Sequence, residues 1–297
     1  MSELIDRAAL RGLSRRSDAR GLVQLGGHAA LIMLTGISVW VSRGRAWLLP
    51  AMLAHGIALN FLFCALHESI HRTAFESRRL NDAVAFVSGA LLMLPPRYFR
   101  LFHLAHHRFT QDPARDPELS QPAPASRAAY LWRITGLPNW FKRGSITLRH
   151  AFLGRVPEPF VPAAKRAAVV REARILWGCY AATLLLSLAA HSTAALLLWV
   201  LPVLLGQPFL RIYLLSEHTG CAFGDDVYAN TRTTYTNRAM RRLAWQMPFH
   251  VEHHAYPAVP FHALGQVNAL IRGRIAVSAP GYIALHRALL RRLKAPV

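Results

Sequence analysis

Residues 47–71, WLLPAMLAHGIALNFLFCALHESIH, decide the fold. The first part, 47 to 66, carries no charge and has the ~20 residues that a helix needs to cross a bilayer. It then runs without a breaker into His67-Glu68-Ser69-Ile70-His71. Two histidines four apart stack on one face of a helix, close enough to share one ion. The stretch therefore predicts a span that leaves the membrane carrying a pair of metal ligands.

Working outward, a second uncharged run lies at 22 to 42, joined to the first by the turn Ser42-Arg43-Gly44-Arg45. Two more runs occupy about 175 to 190 and 194 to 215, so the spans come in two hairpins. A shorter apolar segment, 83 to 96, suits a re-entrant, interfacial or buried helix. The net charge of +20 sits in the N-terminal arm, in 72 to 174 and after 216, and is nearly absent from the tight turns. That distribution follows the positive-inside rule and places both termini and the central segment in the cytoplasm. It reads as orientation and lipid contact and does not call for nucleic acid. No cleavable leader is expected, because Arg7, Arg11, Arg15 and Arg16 mix with acids and the next apolar run is too long. Cys64, Cys179 and Cys221 are isolated, which argues against a disulfide framework or thiolate cluster. The preference for Arg over Lys points to a bacterial inner membrane.

The expected organisation is a basic cytoplasmic arm (1–21), a membrane domain (22–266) and an amphipathic tail (267–297). A cytosolic helical cap would comprise 67–173 and 216–266. Within it, 111–126 reads as a loop, and 127–155, with Trp132, Trp140, Phe141 and Phe152 among Arg and Lys, as a helix at the headgroups or an ordinary solvated one.

The cap holds the rest of the histidines that matter. His103, His106 and His107 form an H-x-x-H-H cluster, His250, His253 and His254 repeat it, and His218 follows the last apolar run. With His67 and His71 that makes nine donors on one side of the membrane, more than one tetrahedral zinc uses. Two ions of higher coordination number would use them, although imidazole alone does not choose the metal. His28, His55, His150, His191, His262 and His286 are isolated and read as packing or surface residues. His67 to His71 also satisfies H-E-x-x-H, the zinc protease pattern with Glu68 as base, but that reading leaves six clustered histidines unused.

The three boxes, in this order and at these positions, resemble the membrane fatty acid desaturase superfamily, with its H-x-x-x-H, H-x-x-H-H and H-x-x-H-H boxes. The likeness covers about residues 45 to 265. Asn230 to Thr234 and Tyr256 to His262 look like bacterial desaturase-type sequences, including the rhizopine-catabolism oxygenase-like branch. The resemblance implies an all-α integral membrane fold: four transmembrane helices in two hairpins under a cytosolic cap with a histidine-ligated di-iron centre. Its ligands would be His67, His71, His103, His106, His107, His250, His253 and His254, with His218 as the ninth. Where the stearoyl-CoA branch has an Asn four positions before that extra histidine, this chain has Leu214, and Glu217-His218-x-Gly220 looks more like alkane monooxygenases.

Neutral imidazoles leave the ions' charge uncompensated, and Glu68, Glu252, Glu217, Asp112 and Asp116 are the nearby carboxylates that would accept ring N–H groups. The implied activity is O2-dependent oxidation of an unactivated C–H bond, first of all desaturation of a fatty acyl or other lipid chain. Hydroxylase, ketolase or oxidative demethylase chemistry on the same scaffold is the alternative. The apolar spans suggest a greasy tunnel to the metal. The chain has neither an iron–sulfur Cys cluster nor a dinucleotide loop, so a separate ferredoxin, rubredoxin or cytochrome with its reductase would supply electrons.

Overall fold

The computed structural model describes residues 5–293; residues 1–4 and 294–297, the outer ends of the predicted arm and tail, lie outside the described residues. Asp6 caps a short helix, α1 (Arg7–Leu13), by accepting the Ala8 and Ala9 amides, and Ser17 caps the long α2 (Asp18–Val41). After the turn comes α3 (Leu48–Asn60), and a single residue, Phe61, separates it from α4 (Leu62–His71). The stretch 47–71 is thus nearly one rod, stopped by Arg72 in the left-handed region (φ 63°). Ser77 caps α5 (Arg78–Leu91), which packs along α4 and takes in most of the 83–96 segment with Ala85, Ser88 and Gly89 on its buried side. Pro96 opens α6 (Pro96–Phe109), where its missing N–H costs nothing.

Beyond the loop come α7 (Arg127–Ile134), α8 (Leu137–Leu153) and α9 (Ala163–Ala189). A π-helical turn at Leu196–Val200 leads into α10 (Leu201–Leu205) and α11 (Gln207–His218). Four short helices, α12 (Val227–Asn230), α13 (Arg238–Leu243), α14 (His250–Ala255) and α15 (Leu264–Ile271), precede the C-terminal α16 (Tyr282–Arg292). Among the described residues the regular structure is helical apart from two-residue strands, β1 (Thr233–Thr234) and β2 (Ser278–Ala279), paired in parallel with Thr233 opposite Ser278.

Among the described residues, two helical stretches are both long and apolar enough to cross a bilayer, Asp18–Val41 and Leu48–His71. A third crossing would be the pair Leu196–Leu205 and Gln207–His218, bent by 40° at Gly206. The expected span at 175–190 is only the second half of α9. Lys165, Arg166, Arg171, Glu172 and Arg174 occupy the first half, so the uncharged part falls short of the ~20 residues of a straight crossing.

Backbones meet where α3 crosses α10. A Cβ on Gly56 would lie 1.9 Å from the Pro202 carbonyl oxygen, and one on Gly206 2.3 Å from the Gly56 carbonyl carbon. The Asn60 amide seals this contact by donating to the Gly56 and Val203 carbonyls at 2.7 and 2.9 Å. Outside, Val23, Met33, Leu34 and Ile37 on α2 and Leu184, Leu185, Leu186 and Leu188 on α9 are exposed. Apolar surface on that scale is foreign to water-facing helices and natural in lipid. Inside, Leu59, Phe61, Leu66, Leu210, Trp245 and Val267 belong to one core cluster. The isolated histidines largely tie this frame together: His28 Nε2 donates to the Ala58 carbonyl at 2.8 Å and its Nδ1 accepts from the Trp245 indole at 3.1 Å. His55 and His286 likewise bond the Leu198 and Ile212 carbonyls, both at 2.9 Å.

Candidate metal centre

Four elements meet at the ends of the apolar helices: the last turns of α4 and α11, the second half of α6, and all of α14. They bring all nine histidines of the boxes and of Glu217-His218 together, in two groups. His67, His71, His103, His107 and His253 present ring nitrogens that all lie within 4.8 Å of one another, and so do His106, His218 and His254. His250 joins the second group, its Nε2 3.1 Å from Nε2 of both His218 and His254. Each H-x-x-H-H box is therefore shared. At ~100° per residue, positions i and i+4 nearly coincide while neighbours diverge. His103 and His107 face one site and His106 the other; His250 and His254 face the second and His253 the first. The sites are adjacent, for the His107 and His254 rings stack at 4.1 Å.

These groups suit metal ions better than each other. A neutral imidazole nitrogen has one in-plane position, either a proton or a lone pair. His218 Nε2 nevertheless meets Nε2 of His106 at 3.2 Å and of His250 at 3.1 Å, and His250 continues to His254. One position cannot serve two partners, so this string is not a hydrogen-bonded chain. In the first site, Nε2 of His67 and of His71 are buried with no protein partner, which a bound ion would remedy. With metal–nitrogen bonds of roughly 2.1 Å, adjacent donors lie roughly 3.0 Å apart around an octahedral ion and roughly 3.4 Å around a tetrahedral one. The close pairs here, 3.0–3.2 Å, are of the size that donors on a single ion take.

The surroundings set the rings' tautomers, mainly at the second site. Asp116 accepts from His106 Nδ1–H at 3.0 and 3.1 Å and from the Gln111 and Glu118 amides, both at 2.9 Å. Burial alone would push the Asp116 carboxyl up, but these donors hold it below the usual carboxylate range. Burial pulls His106 down, and Glu118 and Asp116 outweigh it to leave the ring above its ordinary value. His218 Nδ1 donates to the Asn230 carbonyl at 3.2 Å. The Thr110 hydroxyl gives its one proton to the His106 carbonyl at 2.8 Å, so it accepts from His254 Nδ1–H at 3.2 Å. Glu217 lies 3.5 Å from His250 Nδ1. The Nε2 lone pairs of His106, His218 and His254 thus point inward, whereas His250 Nδ1 makes no hydrogen bond. Nδ1 of His67, His103, His107 and His253 at the first site are buried without such partners.

The other expected carboxylates sit elsewhere. Glu68, fully buried, accepts from Thr73 Oγ1 at 2.9 Å and the Phe261 amide at 3.1 Å. Its place one residue from His67 turns it away from the rings, and the protease role of a general base has no geometry here. Glu252 accepts from Thr233 Oγ1 at 2.6 Å and from the Asn268 amide. Asp112 caps its own turn and pairs with Arg115 near the surface. Thr110 and Asn230, which do brace rings, were not among the sequence candidates; only the membership of Asn230 in the Asn230–Thr234 run hinted at it.

A cavity of about 670 Å³ opens on His106 and His218. Its apolar wall includes Phe63, Leu94, Phe99, Phe102, Leu214 and Leu215. A second, of about 450 Å³, reaches His107 and His254 between Arg108 and Arg115.

Comparison with known proteins agrees with this geometry. The fatty acid desaturase family model matches residues 44–286, which hold all nine converging histidines. The sphingolipid delta(4)-desaturase/C4-monooxygenase of Mus musculus is 23% identical over 82% of this chain and 72% of its own length. The Homo sapiens protein of that name is 25% identical over 81% and 71%, and the sphingolipid delta(4)-desaturase of Drosophila melanogaster 24% over 83% and 73%. The chain belongs to the fatty acid desaturase family and is a membrane oxidoreductase of the desaturase type.

Proposed function

We propose that this chain is a four-span enzyme that desaturates a fatty acyl or related lipid chain with O2, using two irons held by the five-histidine and four-histidine groups. The observation that carries the reading is the convergence of nine imidazoles into two adjacent sets beside an apolar cavity. Bound there, the irons would supply O2-dependent hydrogen abstraction from an unactivated C–H bond. The chain's own part is to keep Nε2 lone pairs aimed inward, through Asp116, Thr110 and the Asn230 carbonyl, and to hold the substrate against a wall of Phe side chains that excludes water. Both termini and the centre face the cytoplasm of a bacterial cell in this reading, in keeping with the placement of Arg and Lys. A separate ferredoxin, rubredoxin or cytochrome brings electrons, and the net positive charge of the segments assigned to the cytoplasm suits an acidic carrier.

Hydroxylation is the second reading. The mouse and human relatives carry both "desaturase" and "C4-monooxygenase" in their names, and Leu214, which lines the cavity one turn before His218, provides no amide to hold water there. Purified protein should contain about two irons per chain, and lipids of an expressing host should lose two hydrogens per modified chain. Gain of one oxygen would favour hydroxylation; a single zinc with peptide cleavage would sink both readings.

A further inference from the structure

The cavity that opens on His106 and His218 is also lined by Arg133, Lys142, Arg143 and Arg211. Each of these has only neutral hydrogen-bond partners. Arg133 donates to the Gln121 and Pro122 carbonyls at 3.0 and 2.9 Å, Lys142 to Ser120 Oγ at 2.9 Å, and Arg143 to the Leu92 carbonyl at 3.1 Å. Arg211 is 6% exposed; its Nε donates to Gln207 Oε1 at 3.2 Å, and its Nη2 is buried with no partner. Asn139 Nδ2, on the same lining, is likewise unpartnered. Carboxylates are present but turned to the rings: Asp116 bonds His106, Glu118 lies 3.8 Å from His106 Nδ1, and Glu217 lies 3.5 Å from His250 Nδ1. Glu118 acts across this space on Arg133 and Arg211, and Glu217 on Arg211, yet among the described residues none of the four cations has a close ion-pair partner, and like-charge repulsion and burial both disfavour the cluster.

We propose that this cationic cluster holds an anionic head group, a carboxylate or phosphate, on a substrate whose apolar tail lies along the Phe63, Phe99 and Phe102 wall. An anion gives Arg211 Nη2 and Asn139 Nδ2 the acceptors they lack, and guanidinium groups match both carboxylate and phosphate oxygens through paired N–H donors. A neutral-headed lipid would leave Arg211 Nη2 and Asn139 Nδ2 unpaired. The substrate assignment rests on the cavity being the substrate site of the proposed desaturase.

The test is equilibrium binding of dodecanoate, dodecyl phosphate, dodecanol and inorganic phosphate to the full, iron-loaded chain in a non-ionic detergent. One or both anionic amphiphiles should bind roughly tenfold or more tighter than dodecanol, and the better of the two names the head group. Inorganic phosphate binding as well as dodecyl phosphate would overturn the amphiphile. Arg143→Gln and Arg211→Gln should each weaken the anion by roughly tenfold and change dodecanol by less than about twofold. Should Arg211→Gln fail to fold, Lys142→Gln at the exposed rim and Arg143→Gln decide. Dodecanol binding as tightly as the anions, or anion affinity untouched in both variants, overturns the inference. Iron content and product are measured on the same samples. Charge-dependent binding without oxidation would sink the desaturase reading alone, and oxidation of neutral-headed lipids with no anion preference would sink the head-group inference alone.

Discussion

Replacing Thr110 by Val keeps its volume and removes the acceptor that fixes the His254 tautomer. Loss of such an outer partner lowers metal affinity by about 10–100-fold, and that is the expected result for iron retention during dialysis against a chelator. Thr110→Ser should restore retention, because the hydroxyl is all that the ring uses. Asp116→Ala should do at least as much harm, since it also strands the Gln111 and Glu118 amides. Glu68→Gln makes the contrast: it touches no ring, so iron affinity should change less than about threefold, while thermal stability falls because an NH2 group enters where Glu68 Oε1 is buried without a partner. The convergence of the eight box histidines is legible from spacing, because H-x-x-x-H and H-x-x-H-H encode helical geometry directly, whereas His218 stands out only by its place after the last apolar run. Their braces are not legible. Glu68 and Glu252 sit inside the boxes yet point away, whereas Thr110 and Asn230 become neighbours of the rings only once α6, α11 and α14 have packed.

At the level of elements, the α3–α10 crossing is the contact least able to change. Gly56→Ala places a methyl group 1.9 Å from the Pro202 oxygen and Gly206→Ala one 2.3 Å from the Gly56 carbonyl carbon, and rigid backbone cannot yield to either. Overpacking of this kind costs about 1–3 kcal/mol or more, so both variants should melt at lower temperature and yield less monodisperse protein. His218 is the last residue of α11, the helix that starts at this crossing, so weakened iron binding at the second site should accompany that loss. The sequence pointed to a fourth span at about 194–215, and hydropathy, which counts residues, says nothing of its 40° bend. The division of each H-x-x-H-H box between two sites is implicit in the helical repeat, yet it becomes visible only when a second helix supplies the opposite face.

Taken as a whole, the molecule puts an apolar exposed belt on α2 and α9 and its nine clustered histidines at one end of the apolar helices. Fusion of a fluorescent reporter that matures only in the cytoplasm to either terminus should give bright cells, and a periplasm-dependent phosphatase at the same points should be inactive. The opposite pattern would invert the proposed orientation. The helical class and two of the four expected spans are plain in composition. The α9 span is less plain, because its charged first half belongs to the same helix as its apolar second half.

The sharing of donors between distant segments also has a consequence for synthesis. Four donors of the first site, His67, His71, His103 and His107, precede His253 by well over a hundred residues, whereas the second site has only His106 until His218 and α14 arrive. At roughly 5–20 residues per second, the ribosome leaves that four-histidine half-site open for several seconds or longer before its last ligand exists. If these groups hold the proposed irons, the nascent chain is most vulnerable to capture of the wrong ion at the first site, and the emergence of α14 is what completes both.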